Sequence, residues 1–295
     1  MHEDRPSLTA RWVAMGRSLG AILPAGPNGA QLIDDEYGAR VAGRPMAALI
    51  GLARQLPGLR PLLRMALRPL LRGATAMQIR TRVIDDELAR FVAAGGRQLV
   101  LLGAGFDARA HRLATLLGDT RVFEVDHPAT QRLKRERFGE GRATYVTWNF
   151  ESEPMAELPA RLASLGHDRT RPTFTIWEGV TIYLTEGAIE ATAASVRHYS
   201  AAGSRLCFTY TDTRALTSRK LRGRILRAVV ARVGEPFRWG WLPKELGGWW
   251  QARGFRVLSD VVMGEAARRM LPPAWAARAD ARHRHVATVE PIPAG

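Results

Sequence analysis

One cysteine, Cys207, stands in the 295 residues. That excludes an intrachain disulfide framework and a metal site built from several thiolates. It also suits a reducing compartment. Lysine is nearly as scarce: Lys134, Lys220 and Lys244 are the only three, so almost all of the 43 basic residues are arginine. There is no charge-free run of eighteen apolar residues, so no helical membrane span is expected. The first ten residues show no basic stretch followed by an apolar one, so no secretory leader is expected, and a cytoplasmic location is. No internal repeat is present.

What remains is an ordinary globular composition, 46% hydrophobic and 24% charged, in a chain long enough to bury a core. The formal net charge is +15. Nucleic acid, a membrane surface or an acidic ligand could each answer such a charge. The near-exclusive use of arginine reads as coding bias as much as binding, and no nucleic-acid motif accompanies it. No nucleic-acid partner is therefore expected, and the preference left is for anionic small molecules.

The first ninety residues read as helical. Ser7–Ile22 predicts a helix with Ser7 as N-cap, ended by Pro24, Gly26, Pro27 and Gly29. A second helical region follows Asp34-Asp35. Residues 44–76 are apolar and arginine-rich, divided by Pro45, Pro57, Pro61 and Pro69. Arg60, Arg64, Arg68 and Arg72 fall four apart and would share one face of a continuous helix. Such a segment could lie on anionic lipid. The prolines argue against one long surface helix, and a pair of short helices forming a lid is the favoured reading. Met77–Ala94 reads as one helix, stopped by Gly95-Gly96.

Beyond it, strands and helices alternate. Strands are expected at Gln98–Leu102, Arg121–Val125, Thr144–Thr147, Thr173–Trp177 and Arg205–Tyr210, with helices at Ala108–Leu117, Ala129–Phe138 and Glu186–Tyr199. This is the pattern of a parallel sheet covered on both faces. The tail adds helices Leu216–Val233 and Pro243–Ala252, then strands Arg256–Val262 and His285–Glu290, which suit an antiparallel edge.

Three stretches carry chemistry. Leu99–Arg109 runs from an apolar strand through Gly103-Ala104-Gly105 into a helix. Glycines there let a ligand approach the backbone, and the carboxyl end of a parallel strand is where ligands bind. Phe123-Glu-Val-Asp126-His-Pro128 puts a carboxylate at the end of the next strand, where Asp126 could accept from both hydroxyls of an adenosine ribose. Thr175–Thr185 places Glu178 at the end of the fourth strand and Tyr183 on the loop after it, with Thr185 capping the next helix. A dinucleotide site shares this layout. Against it, the third glycine position is Ala108, and Asp107 would repel a pyrophosphate at the helix N-terminus.

These blocks, with Arg80-Thr-Arg-Val-Ile-Asp-Asp86, resemble the signature stretches of leucine carboxyl methyltransferases. They are most similar to the bacterial branch that includes polyketide O-methyltransferases. Ser7-Leu-Thr-Ala10 and Leu32-Ile-Asp-Asp35 share the likeness, which spans residues 7–210. The resemblance implies a class I methyltransferase fold: an α/β, Rossmann-like, seven-stranded and mostly parallel sheet over residues 95–295, with an N-terminal helical cap over 1–94. It implies S-adenosyl-L-methionine as cofactor and a small-molecule methyl acceptor, an anionic one fitting the charge, methylated on a carboxylate or hydroxyl. By motif, Arg80 would pair with the methionine carboxylate, with Arg82 as fallback. Gly103 and Gly105 would lie beneath the cofactor, and Asp126 would hold the ribose. Asn149 and Phe150, where the family has Asp-Leu, would flank the adenine. Glu178 would face the amino end. Tyr183 is the candidate catalytic residue. Thr9-Ala10-Arg11 has no counterpart of the lysine in the eukaryotic enzymes, which argues against a protein C-terminus as acceptor.

Two other readings use the same residues: an NAD-dependent oxidoreductase in the glycine-turn crevice, and a basic lipid- or nucleic-acid-binding module on the arginine-rich segment. No metal site is expected; His283 and His285 lack ligand spacing, and His127 reads as a turn residue. Trp239, Trp241, Trp249 and Trp250 could stack on a flat substrate or pack the tail onto the sheet.

Overall fold

The computed structural model describes residues 8–26, 32–33, 35–216, 237–277, 279 and 281–293. Ser7, Asp34 and the predicted helix beyond Leu216 lie outside them.

The helical N-terminal part is punctuated by proline. Helices α1 (Leu8–Ser18), α2 (Tyr37–Val41), α3 (Arg44–Gln55), α4 (Arg60–Ala66) and α5 (Arg68–Ala93) follow in order, with single 3-10 turns at Leu19–Ala21 and Pro57–Leu59. Pro45, Pro61 and Pro69 each sit in a first helical turn, where the missing N–H costs nothing. The prolines therefore start three helices. The arginines four apart do not share a face: the chain bends at Leu67, and Arg64 turns inward, donating to the carbonyls of Ile22 (2.7 Å) and Leu23 (3.3 Å).

The helix expected from Met77 begins nine residues earlier, at Arg68, because Pro69 supplies an N-terminal start. Its second half covers one face of the sheet: Ile79, Val83, Ile84, Leu88 and Phe91 share a core with Leu99, Leu101, Phe174 and Ile176.

Seven strands form the sheet: β1 (Gln98–Leu102), β2 (Arg121–Asp126), β3 (Ala143–Thr147), β4 (Thr173–Trp177), β5 (Arg205–Thr211), β6 (Phe255–Val262) and β7 (Arg284–Pro291). Their order is β3-β2-β1-β4-β5-β7-β6. Six run in the same direction, and β7 lies antiparallel to its neighbours β5 and β6. Between β1 and β2 the region expected as one helix is two single turns, α6 (Arg109–Arg112) and α7 (Ala114–Leu117), parted at Leu113. The remaining helices are α8 (Pro128–Phe138), α9 (Leu158–Ser164), α10 (Glu186–Tyr199), α11 (Thr213–Leu216), α12 (Pro243–Gln251), α13 (Met263–Met270) and α14 (Pro273–Ala276). No helix was expected in the region of α9, and α13 and α14 fill the connection between the last two strands.

The second face is buried under α9, α10 and α12, through Leu162, Val196 and Trp250 packed on Val100, Phe123 and Phe208. Strand order reverses between β1 and β4, which opens a crevice at their carboxyl ends.

Candidate active site

The crevice is built first from a turn that only glycine allows. Gly103 (φ +67°) and Gly105 (φ +51°) are both left-handed. The amides of Gly103 and Ala104 both donate to the Val125 carbonyl, at 2.9 and 3.1 Å, which hooks the turn onto the end of β2. A Cβ at Gly103 would stand 2.9 Å from Val180 Cγ2, and one at Gly105 3.0 Å from the Ala10 Cβ on α1. The turn is thus enclosed between the loop after β4 and the first helix.

Asp126, the last residue of β2, reaches back to that turn. Its Oδ2 accepts from the Gly105 amide at 2.5 Å and its Oδ1 from the His127 amide at 2.6 Å. Burial pushes its pKa above the ordinary carboxylate value, and the two amides hold it back in part. His127 caps α8, its Nδ1 accepting from the Ala129 amide at 3.3 Å.

Next to the turn lies a lattice of arginines and carboxylates. Arg80, on α5, donates from Nε to Glu178 Oε1 at 2.7 Å, and the Thr81 hydroxyl donates to the same oxygen at 3.4 Å. Arg109 is fully buried and donates to Glu178 Oε2 at 2.7 Å, to Asp85 at 2.7 Å and to Asp107. Arg112 completes Asp85 at 2.7 Å. Arg17, from α1, pairs with Asp35 at 3.1 Å and donates to the Phe106 carbonyl at 2.6 Å. Buried charges persist only when paired in this way. Burial works to raise the Glu178 pKa, but Arg80, Arg109 and Arg17 outweigh it and hold the carboxyl well below its usual range. Burial likewise works to discharge Arg109, and Asp107, Glu178 and Asp85 outweigh it.

The residues expected at the site fall into four groups. Gly103, Gly105 and Asp126 meet at the β1–β2 edge. Arg80 and Glu178 meet across the crevice, joined to the turn through Arg109 and Asp107. Arg80 uses only Nε in its ion pair; Nη1 and Nη2 lie against Gly179 and have no partner among the described residues. Arg82, the fallback, faces solvent and pairs with Asp86 at 2.8 Å. Asn149 and Phe150 follow β3, one strand beyond Asp126. The Asn149 side-chain oxygen accepts from the Glu151 amide at 3.0 Å, so it helps to shape its own turn, and Phe150 is exposed. Tyr183 closes a 3-10 turn, Thr181–Tyr183, with its ring 5.8 Å from that of Phe237. The tail segment is fixed there by the Arg238 amide, which donates to the Ile182 carbonyl at 2.7 Å.

The part played by Arg109, Asp85 and Arg17 was missed from sequence. Arg109 and Asp85 stood inside the quoted motifs, and that placement was the available signal. Arg17 offered none, since its partners lie 18 and 89 residues away. Two of the tryptophans pack the tail: Trp241 and Trp250 are buried against Phe208. His285 stacks on Tyr210 and contacts Asp260 at 3.0 Å, whereas His283 lies 3.8 Å from Asp212.

A seven-stranded sheet of this order, with its last strand antiparallel and a glycine turn and acidic residue at the switch point, defines the class I methyltransferase fold. Solved structures agree. A DUF574 family protein from Streptomyces avermitilis superposes with a TM-score of 0.58 at 16% identity, covering 99% of both chains. A Thermobifida fusca protein superposes with a TM-score of 0.55 at 17% identity, covering 99% of this chain and 97% of that one. Residues 14–197 match the leucine carboxyl methyltransferase family, and the chain belongs to it. Among curated relatives, proteins from Streptomyces coelicolor and Frankia alni are each named "Putative S-adenosyl-L-methionine-dependent methyltransferase". They are 36% identical over 62% of this chain and 37% over 65% of it. The matched regions span 63% and 67% of those relatives' lengths.

Proposed function

We propose that the chain transfers a methyl group from S-adenosyl-L-methionine to a carboxylate or hydroxyl oxygen of a small molecule, and that an anionic acceptor suits its charge. The observation that carries this reading is the union, at one switch point, of a Cβ-free turn, a carboxylate on the neighbouring strand and an arginine–glutamate pair. The donor set fits the cofactor. Gly103 and Gly105 would let it approach the backbone, and Asp126 would accept from the ribose hydroxyls. The two open nitrogens of Arg80 would receive the methionine carboxylate, and the ionised Glu178 would face the ammonium. Asn149 and Phe150 would flank the adenine, with one lone pair of the Asn149 oxygen still to offer.

When bound, the cofactor supplies a methyl group already activated on a sulfonium. The chain's task is then alignment and exclusion of water. A carboxylate acceptor needs no base; a hydroxyl does. His127 Nδ1 is engaged in capping α8, which leaves Tyr183, beside Glu178 and Gly179 in sequence, as the acceptor-side group. A dinucleotide is disfavoured: the Asp107 carboxylate already accepts from the Arg109 amide at 2.8 Å at the start of a single-turn helix, where a pyrophosphate would need to sit.

Calorimetric titration with S-adenosylhomocysteine tests the reading. Saturable one-site binding is expected, with none for NADH. No saturation at millimolar concentration, or a preference for NADH, overturns it.

A further inference from the structure

The arginine-rich stretch is not absorbed by the site. Between residues 44 and 76 there are six arginines, no acidic residue and no aromatic one. Part of its apolar content is buried: Leu71 and Ala74 pack with Leu19 and Ile22. Another part is turned outward. Leu56 is 50% exposed, Leu62 59% and Met65 72%, with Leu52 at 40%. On α4 the inward side is set by Arg64, bound to the Ile22 and Leu23 carbonyls, while Leu62 and Met65, three apart, point away together. Arg68 and Arg72 follow in the first turns of α5, four apart and exposed, with no carboxylate partner among the described residues.

We propose that the exposed side chains of this stretch, from the end of α3 through α4 to the first turns of α5, together dock the protein on an anionic membrane surface. Leu56, Leu62 and Met65 enter the headgroup layer, and Arg68 and Arg72 pair with lipid phosphates. Aliphatic side chains beside cations unopposed by acid are what such a surface recognises. A second copy of the chain fits worse, because a twofold axis would set arginine against arginine. A protein partner fits worse too, because the stretch offers no aromatic anchor. The prolines, which oppose one long surface helix, are no obstacle here, since Pro61 begins the short α4 and Pro69 begins α5, of which only the first turns take part.

The test uses the full chain and sedimentation with vesicles of phosphatidylglycerol mixed with phosphatidylcholine, against phosphatidylcholine alone. Binding is expected only to the anionic vesicles and should weaken as salt rises. Arg68→Gln with Arg72→Gln should lower the partition coefficient roughly fivefold per arginine. Leu62→Glu with Met65→Glu should abolish binding while leaving thermal melting unchanged, because both positions are exposed. The arginine pair keeps the proposal testable should the glutamates disturb folding. No sedimentation of the intact chain with anionic vesicles overturns the proposal. So does equal sedimentation with neutral ones, indifference to both pairs of changes, or concentration-dependent self-association without lipid binding.

Discussion

Asp126 shows how a single side chain can serve the fold and the site together. Its oxygens already hold two backbone amides, so its position is fixed before any ligand arrives, and each oxygen keeps a lone pair for a ribose hydroxyl. Asp126→Ala should weaken S-adenosylhomocysteine binding at least tenfold, measured by calorimetry. Loss of a charge-assisted hydrogen bond is worth about 1.5–3 kcal/mol, which is one to two powers of ten. Unchanged affinity would remove Asp126 from the ribose site. This carboxylate and the two glycines were legible in sequence because their partners lie within 25 residues. The lattice around Arg109 was not, because burial is what makes it exceptional. In sequence, Arg109 is one arginine among about forty; in the structure it is a fully buried charge shared by Asp85, Asp107 and Glu178.

The strands were legible almost residue by residue, since continuous apolar runs bounded by breakers have few other homes. Helices were less so. Pro69 was read as a divider of its segment, yet it opens the longest helix; the two roles look alike until the chain direction after the proline is known. The connection between β3 and β4 hid another feature, His167. Its Nε2 lies 2.9 Å from the Thr173 hydroxyl at the start of β4, and its ring is packed edge-on against Phe123 and Tyr199. Burial lowers its pKa from 6.5 to about 4. Between those values the unfolded chain binds a proton that the native chain does not, so native stability falls as pH drops through that window. Between pH 7 and 4.5 such a shift removes on the order of 2–3 kcal/mol. Urea midpoints at pH 7, 5.5 and 4.5 should therefore decline, and the decline should be shallower in His167→Gln by about this amount. Parallel pH profiles for the two proteins would show that His167 is not the group responsible.

Sequence suggests a cap ending at residue 94 and a core beginning at 95, and whether that line separates two folding units follows from α5. One helix runs through both parts: its first turns carry Leu71 and Ala74 into the helical cluster around Leu19 and Ile22, and its later turns cover the sheet. Removing residues 1–94 would uncover one face of the sheet by taking away Ile79, Val83, Ile84, Leu88 and Phe91. At about 1.5–3 kcal/mol for each buried side chain, that is roughly 8–15 kcal/mol. A whole domain is stable by about 5–15 kcal/mol, so the remainder should not fold. The lattice adds to this, since losing Asp85 and Arg80 would strip Arg109 and Glu178 of one buried ion-pair partner each. Expressed alone, residues 95–295 should be insoluble or lack a cooperative thermal transition, while the intact chain should melt in a single step followed alike by tryptophan fluorescence and far-ultraviolet circular dichroism. A folded, cooperative 95–295 fragment would mean that α5 is an accessory to the sheet, and that the cap can come away without loss of the core.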